Sequence, residues 1–344
     1  MQIDVNENSS IPKYRQIVDS IINNIIKGHT KSGDRLPSIN VMSEDYYLSR
    51  DTVEKAYKVL RERKIIESIK GKGYYITDII PDQKVNILFM INKPSGYKME
   101  IYDAFVNEIG GKGHVSMFLY YCDETLFINE LEKKMGAFDY YVVMLHFRDE
   151  NSKHISFTEK VLHTLNKISK DRVILIDNYK SPLNEGYGCI YQDFEKDISE
   201  SLTEALEKLK KYEKLVLVYP SKVHYPYPRR IARGFTSFCM QNHFNYEVIE
   251  EIYDDMELDK KYAYIILREK DLVSLVRQVR GKNLQLGKDI GIISYNETPL
   301  KDLLGITVIS TDFKAMGGTA GYMVLKNKRE SVKNVFKYIE RDSL

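Results

Sequence analysis

Apolar residues recur at three- and four-residue intervals from Ile11 to Gly28. Tyr14, Ile17, Val18, Ile21, Ile22, Ile25 and Ile26 fall on one stripe. That spacing predicts a helix, capped by Ser10, with Pro12 in its first turn and Gly28 at its C-terminal stop. A short second helix over residues 38–46 turns Ile39 and Met42 inward. Tyr47-Leu48 is a turn, and Ser49 caps a third helix in which Val53, Ala56, Tyr57 and Leu60 share a face. Residues 65–77 then alternate around Lys70-Gly71-Lys72-Gly73 as a two-stranded hairpin does, the glycines permitting the positive φ of a tight turn. Helices separated by three or four residues and followed by a hairpin make a winged helix-turn-helix.

The pattern changes at residues 78–84, where Pro81 among charged and amide neighbours reads as a linker between a 1–77 domain and an 85–344 domain. Near-continuous apolar runs follow: Val85–Ile91, Val115–Tyr121, Tyr140–Leu145, Val173–Ile176, Leu215–Tyr219, Tyr264–Leu267 and Ile290–Ser294. Helical patterns lie between several of them, as at Phe194–Tyr212 with Ile198, Leu202, Leu206 and Leu209. Buried strands alternating with helices imply parallel sheets covered on both faces. There are too many units for one small sheet, so two α/β lobes are expected. The cleft between them is the expected ligand site, because ligands sit at the carboxyl ends of parallel strands.

Composition narrows the function. The chain has 344 residues, a net charge of +2 and 43% hydrophobic residues, which describes ordinary globular protein. Cys122, Cys189 and Cys239 lie far apart, which argues against a disulfide framework and a zinc site. The start, Met1-Gln2-Ile3-Asp4, lacks a signal-peptide pattern, and no apolar run approaches a membrane span, so a cytoplasmic protein with no membrane partner is expected. There is no Gly-x-Ser-x-Gly elbow and no His-Glu-x-x-His pair. The seven histidines, including His146, His154 and His224, show no metal spacing and read as surface or loop residues. Gly110-Gly111-Lys112-Gly113 follows a helix and precedes a strand, the order of a helix C-cap and not of a nucleotide loop. No cofactor, no metal and no catalytic group is expected. An enzyme with a two-lobed cleft and an appended DNA-binding head is the alternative.

The first domain offers chemistry suited to DNA. The start of the third helix enters the major groove in such folds. Arg50 there can grip guanine or a phosphate, and Ser49 and Thr52 can bond phosphate. Arg35 stands beside Pro37 and Ser38 at a helix N-terminus that favours an anion. Lys70 and Lys72, flanking Gly71 at the wing tip, can reach the minor groove or its phosphates. Residues 1–77 hold 13 Lys and Arg against 10 Asp and Glu, so non-specific attraction is modest and two copies are needed for useful affinity.

The combination Tyr14…Ile17…Gly33-x-x-Leu36-Pro37-Ser38…Leu48-Ser49-Arg50-x-Thr52-Val53…Ala56…Leu60…Gly71-x-Gly73 resembles the GntR family of bacterial transcription regulators. The resemblance implies operator contacts at Arg35, Arg50 and Gly71. Ile65-Ile66 departs from a glycine common before the wing. Farther on, Pro228–Phe235, Gly287–Pro299 and Thr307–Gly317 are similar to the effector core of lac-repressor-type regulators and the type I periplasmic sugar-binding proteins. A GntR head on such a core resembles the arabinose-repressor type. The fold implied is an N-terminal winged helix-turn-helix plus a two-lobed α/β periplasmic-binding-protein-like effector domain. The function implied is a homodimeric regulator, a repressor by expectation, of double-stranded operator DNA, controlled by a small-molecule effector of sugar type.

That second resemblance also implies a binding set. The aspartate that binds ligand hydroxyls after the Ile292–Tyr295 strand matches Asn296. A polar residue after the preceding strand matches Glu269, and an aspartate ending Val173–Ile176 matches Asp177. The ligand-binding arginine, three residues before Gly-Phe, falls on Ile231, with Arg230 one residue earlier as its substitute. Tyr97, Phe147, Tyr179, Tyr225 and Tyr227 supply aromatic faces on the cleft side, and the polar strand ends are expected to stay hydrated until a ligand pairs them. Because a lone head is weakly charged, the fragment 1–77 is expected to bind operator far more weakly than the full chain, by gel shift. Equal affinity would refute the need for two heads.

Overall fold

The computed structural model describes residues 3–6, 11–26, 28–78, 84–181, 185–221 and 223–344. The expected cap Ser10 and most of the expected linker, residues 79–83, lie outside the described residues. The chain separates into two compact units. One comprises residues 1–87 with 111–114 and 131–139; the other comprises 88–110, 115–130 and 140–344.

The first unit is built on three helices, α1 (Lys13–Ile26), α2 (Ile39–Asp45) and α3 (Arg50–Glu62), and a hairpin of β1 (Ile66–Ile69) and β2 (Gly73–Ile76). The stripes read from sequence meet in one core: Ile17, Val18, Ile21, Met42, Val53, Ala56, Tyr57 and Leu60 are buried together. The Tyr57 hydroxyl donates to the Pro37 carbonyl at 2.7 Å and its ring meets Tyr74 edge-on, which ties α3 to the approach of α2 and to the wing. The wing gains a third edge that sequence patterning did not show. Gly33 and Leu36 donate to the carbonyls of Ile76 and Tyr74, and Ile76 donates to Asp34, so the segment before α2 runs antiparallel beside β2.

The second unit holds two six-stranded sheets. The first has the order β15-β9-β8-β5-β3-β4, from β3 (Val85–Ile91), β4 (Gly113–Leu119), β5 (Tyr140–Met144), β8 (Val173–Asn178), β9 (Gly188–Tyr191) and β15 (Ser331–Lys333). A two-residue ladder of β6 (Phe147–Arg148) and β7 (His154–Ile155) follows β5. The second sheet has the order β11-β10-β12-β13-β14-β16, from β10 (Lys214–Val218), β11 (Asn245–Ile249), β12 (Tyr262–Ile266), β13 (Ile290–Tyr295), β14 (Thr307–Thr311) and β16 (Phe336–Ile339). Every pair of the second sheet is parallel except β14 with β16. The helices are α4 (Gly96–Ile109), α5 (Glu124–Lys134), α6 (Glu159–Leu165), α7 (Phe194–Glu204), α8 (Leu206–Leu209), α9 (Arg229–Gln241), α10 (Glu269–Gly281), α11 (Pro299–Leu303) and α12 (Phe313–Lys326). All seven strand-like runs are strands, and Gly110 caps α4 as the glycine cluster implied. The helix expected over 194–212 is instead two helices meeting at Ala205, the C-cap of α7.

The chain crosses between the sheets three times. After β9 it enters α7, which packs on α9 and β16 of the second lobe. After β14 it enters α12, which packs on α4, β8 and β9 of the first. Between β15 and β16 it returns. The three crossings are bonded side by side: Asn334 donates to the Tyr191 carbonyl at 2.8 Å, and Asp312 to that of Val335 at 2.9 Å. Asp193 and Asp312 then cap α7 and α12 with their carboxylates.

Each exchanged helix seats through a glycine. A Cβ on Gly317 would stand 2.1 Å from the Ile101 carbonyl oxygen of α4, and one on Gly234 of α9 the same distance from that of Glu195 of α7. Gly318, by contrast, has nothing within 4 Å of a Cβ. Gly317→Ala must therefore part α4 from α12, at a cost of about 1–3 kcal/mol. Gly318→Ala should gain about 0.5–1 kcal/mol of helix stability. Urea denaturation of both variants checks this pair of signs. Equal stabilities would contradict the close approach.

Candidate DNA-binding surface and ligand cleft

The sequence-predicted DNA residues share the exposed side of the first unit's helix starts and wing. Arg35, Ser38, Ser49, Arg50, Lys70, Gly71 and Lys72 are all exposed, and Thr52 is half-buried. Ser38 caps α2 by accepting from the Val41 N–H. Ser49 caps α3 by accepting from the Thr52 N–H, and its hydroxyl also meets that of Thr52 at 2.6 Å. Ser38 and Ser49 thus already serve the backbone, and Arg50 is the first helical residue of α3. Gly71, at φ 75°, occupies the third position of the turn closed by Lys72 N–H to the Ile69 carbonyl, where only a positive φ fits. The Arg35 guanidinium runs along the wing, 3.2 Å from where a Cβ on Gly73 would stand. The glycine leaves room for that side chain.

In the second unit both sheets have one order. β4 flanks β3 on one side and β5 on the other; β11 and β12 flank β10 likewise. The crevice opens where the order reverses, outside the carboxyl ends of those strands. A cavity of about 670 Å3, counting the part open to solvent, lies there. Asn92 and Lys93 follow β3, His146 follows β5, and Asp177 is the penultimate residue of β8 on the first lobe. Leu267 follows β12, and Tyr295 and Asn296 close β13 on the second. Tyr97, Phe194, Tyr227, Ile231 and Phe313 supply apolar walls.

Of the four predicted ligand residues, Asp177 and Asn296 line this cavity. Both have left-handed backbone, φ 63° and 62°, a conformation that Asp and Asn tolerate better than most residues. It turns their side chains off the ends of the strands. Asn296 has a side-chain amide with no partner among the described residues. Its carbonyl and that of Tyr295 each accept from Lys301 Nζ at 2.7 Å. Burial lowers that ammonium to about 8, against the pull of Glu269 and Glu297. Arg230 and Glu269 do not line the cavity. Arg230 lies over the Tyr179 ring at 4.4 Å, and Ile231 takes the place of the expected arginine. Glu269 is largely exposed and meets the Tyr97 hydroxyl at 3.3 Å. Of the expected aromatics, Tyr97 and Tyr227 line the cavity, whereas Phe147 is fully buried in the core.

Asp177 corrects the expectation of hydrated strand ends. It is 2% exposed and fully paired. One carboxylate oxygen touches Lys98 Nζ and stands 3.2 Å from His146 Nε2; the other accepts from the Gln192 amide. Gln192 in turn accepts from the Thr311 hydroxyl at the second crossing. His146 Nε2 also lies 2.7 Å from the Asp177 carbonyl, and its Nδ1 lies 2.6 Å from His154 Nε2. A chain of N–H donors satisfies this with both rings neutral. Burial, then His154, then the two lysines, hold His146 well below its ordinary pKa. Burial and the same lysines hold His154 at about 4. Of the histidines read as surface or loop residues, His146 is a loop residue but a buried one, 6% exposed.

Lys98, His146 and Gln192 escaped the sequence reading. For Lys98 a signal existed: it shares the buried face of α4 with Ile101, Phe105 and Ile109, a charge on an apolar stripe. His146 and Gln192 carry no such mark, because loops bring them together. Among the described residues, no group of three or more potential ligands could hold a metal ion, and no helix is long and apolar enough to cross a membrane.

Residues 13–76 match the bacterial regulatory proteins of the gntR family. Over 76 residues the chain is 38% identical to the HTH-type transcriptional repressor YtrA of Bacillus subtilis, covering 22% of this chain and 58% of that protein. Over 67 residues it is 42% identical to the mannosyl-D-glycerate transport/metabolism system repressor MngR of Escherichia coli, covering 20% and 28%. The chain thus spans little more than half, or less, of these relatives. A lacI-family transcriptional regulator from Lactobacillus casei, solved with bound sucrose, superposes with a TM-score of 0.59 at 12% identity, over 75% of this chain and 99% of that one. At that identity the likeness is one of fold. The chain therefore carries a gntR-family helix-turn-helix domain at its N-terminus, joined to a two-sheet α/β region with the fold of lacI-type regulators.

Proposed function

We propose that this protein is a ligand-responsive transcriptional repressor. Its winged helix would bind operator DNA, and a small hydroxylated molecule, a monosaccharide or a close derivative, would bind in the cleft and alter that grip. The observation that carries the reading is the union in one chain of a gntR-type helix-turn-helix with a two-lobed cleft whose strand ends present polar groups. YtrA and MngR, two of the relatives matched, are repressors, and a structure sharing the α/β fold holds a sugar. The arrangement is that of the arabinose-repressor type. A homodimer would set two heads on an inverted repeat, since protein two-fold symmetry is mirrored in the site.

The cleft supplies a means of switching. A ligand shifts an equilibrium only by binding one state better. Groups that would touch it stand on both lobes: Asn92 and Asp177 on one, Asn296 on the other. Gln192, bonded to both Asp177 and Thr311, links the ligand-facing network to the crossings about which the lobes would close.

Two substitutions test the two halves. Arg50→Ala should weaken operator binding by about 1–3 kcal/mol and relax preference at one base step. Wild-type gel shifts from that variant would remove α3 from the groove. Asn296 sits at positive φ, so glycine removes its amide without straining the backbone. Asn296→Gly should weaken ligand binding by about 1–3 kcal/mol in calorimetry, because it strands a ligand hydroxyl, while ligand-free operator affinity stays at the wild-type value. Normal ligand binding by Asn296→Gly would take that residue out of the site.

A further inference from the structure

The first-lobe side of the cleft carries more positive charge than its own carboxylate can balance. Two ammonium groups, Lys93 and Lys98, line the cavity with one carboxylate, Asp177. Lys98 is spent on that carboxylate. His146 and His154 add no charge, because both are held neutral. Lys93 is left over. Among the described residues no carboxylate stands within ion-pair distance of it, and the Tyr227 ring lies 5.2 Å from its Nζ. Burial presses this ammonium below its ordinary range, with the Cys122 thiol acting weakly the other way. Lys93 is half-buried, and an ammonium partly withdrawn from water with no carboxylate beside it is costly unless something arrives to pair it.

Two neighbours define what that something is. Lys93 lies in the loop that enters α4, whose N-cap Ser95 and first-turn residues Tyr97 and Lys98 also line the cavity. N–H groups at a helix start lack intrahelical acceptors and favour a negative charge. Asn92, 4% exposed and also lining the cavity, has a side-chain oxygen with no hydrogen-bond partner among the described residues. It offers an acceptor to a hydroxyl beside the anion. We propose that the cleft takes an anionic polyhydroxy ligand, a sugar or polyol bearing a carboxylate or a phosphate, whose negative group sits between Lys93 Nζ and the first turn of α4. This rests on the reading of the cleft as the effector site. It adds the charge of the effector and the residue that reads it.

The test compares the full chain with Lys93→Met, which keeps the stem and removes the charge, and with Lys93→Arg, which keeps the charge. Thermal unfolding is followed in inorganic phosphate against chloride at matched ionic strength. Phosphate should raise the Tm of the wild type and of Lys93→Arg and weaken about tenfold or more in its effect on Lys93→Met. Without phosphate, Lys93→Met should melt at or above the wild-type temperature, since it loses a half-buried charge that has no carboxylate partner. Equal phosphate response in wild type and Lys93→Met, or none in either, would overturn the proposal. Calorimetry with glucuronate, glucose 6-phosphate and glucose then separates the sources. A preference for the first assigns a carboxylate and for the second a phosphate. Glucose binding as tightly as both, with Lys93→Met unaffected, overturns the anion site and leaves the effector reading standing. Anion binding that depends on Lys93 but never changes DNA affinity does the reverse.

Discussion

The cleft is organised by one buried carboxylate. Asp177 is the penultimate residue of a strand whose six residues are all buried, and an ion in that position is tolerated only when every lone pair is met. Lys98, Gln192 and His146 meet them, and each comes from a different segment. The first turn of α4, the loop after β9 and the loop after β5 are thereby fixed against one another before any ligand enters. The consequence is a pre-formed first-lobe wall. What remains open for a ligand is the periphery of that network: the Asn92 oxygen, the Lys93 ammonium and, across the cleft, the Asn296 amide.

The network reaches the crossings through a single residue. Gln192 follows β9, and its side chain bridges Asp177 to Thr311. Those crossings are short and mutually bonded, and two of them run into helices, α7 and α12, that pack on the lobe the chain has just entered. Gly317 and Gly234 allow that packing to be backbone-close. A tight seat of this kind confines motion to the crossings themselves, because packed interfaces resist continuous deformation. Lobe closure about three adjacent segments is the movement this construction leaves available.

Much of the fold was legible because strand and helix periods are local. The apolar runs at 85–91, 140–144 and 290–295 announced buried parallel strands, and the 13–26 stripe announced α1. What escaped was short or non-local. β11 is half-exposed and its pattern mixed, β15 has three residues, and the third wing edge at 33–36 exists only through its pairing with β2. Of the residues implied by the resemblance, Asp177 and Asn296 stand at strand ends on the cavity wall, whereas Arg230 and Glu269 lie in the first turns of helices, against Tyr179 and Tyr97. His146 looked like a loop histidine in one dimension. Only the folded chain shows it beneath Asp177, pressed against His154.

In the proposed regulator the cleft and the DNA-binding surface are linked thermodynamically. Linkage is reciprocal, so an effector that changes operator affinity by some factor must have its own affinity changed by the same factor when operator is bound. The direct measurement is calorimetric titration of whichever small molecule raises the full chain's Tm into free protein and into protein saturated with a DNA selected by that protein from a random pool. The account predicts two different effector affinities, separated by about five- to 150-fold, with an equal change in operator affinity by fluorescence anisotropy. Identical effector affinities with and without DNA would contradict it.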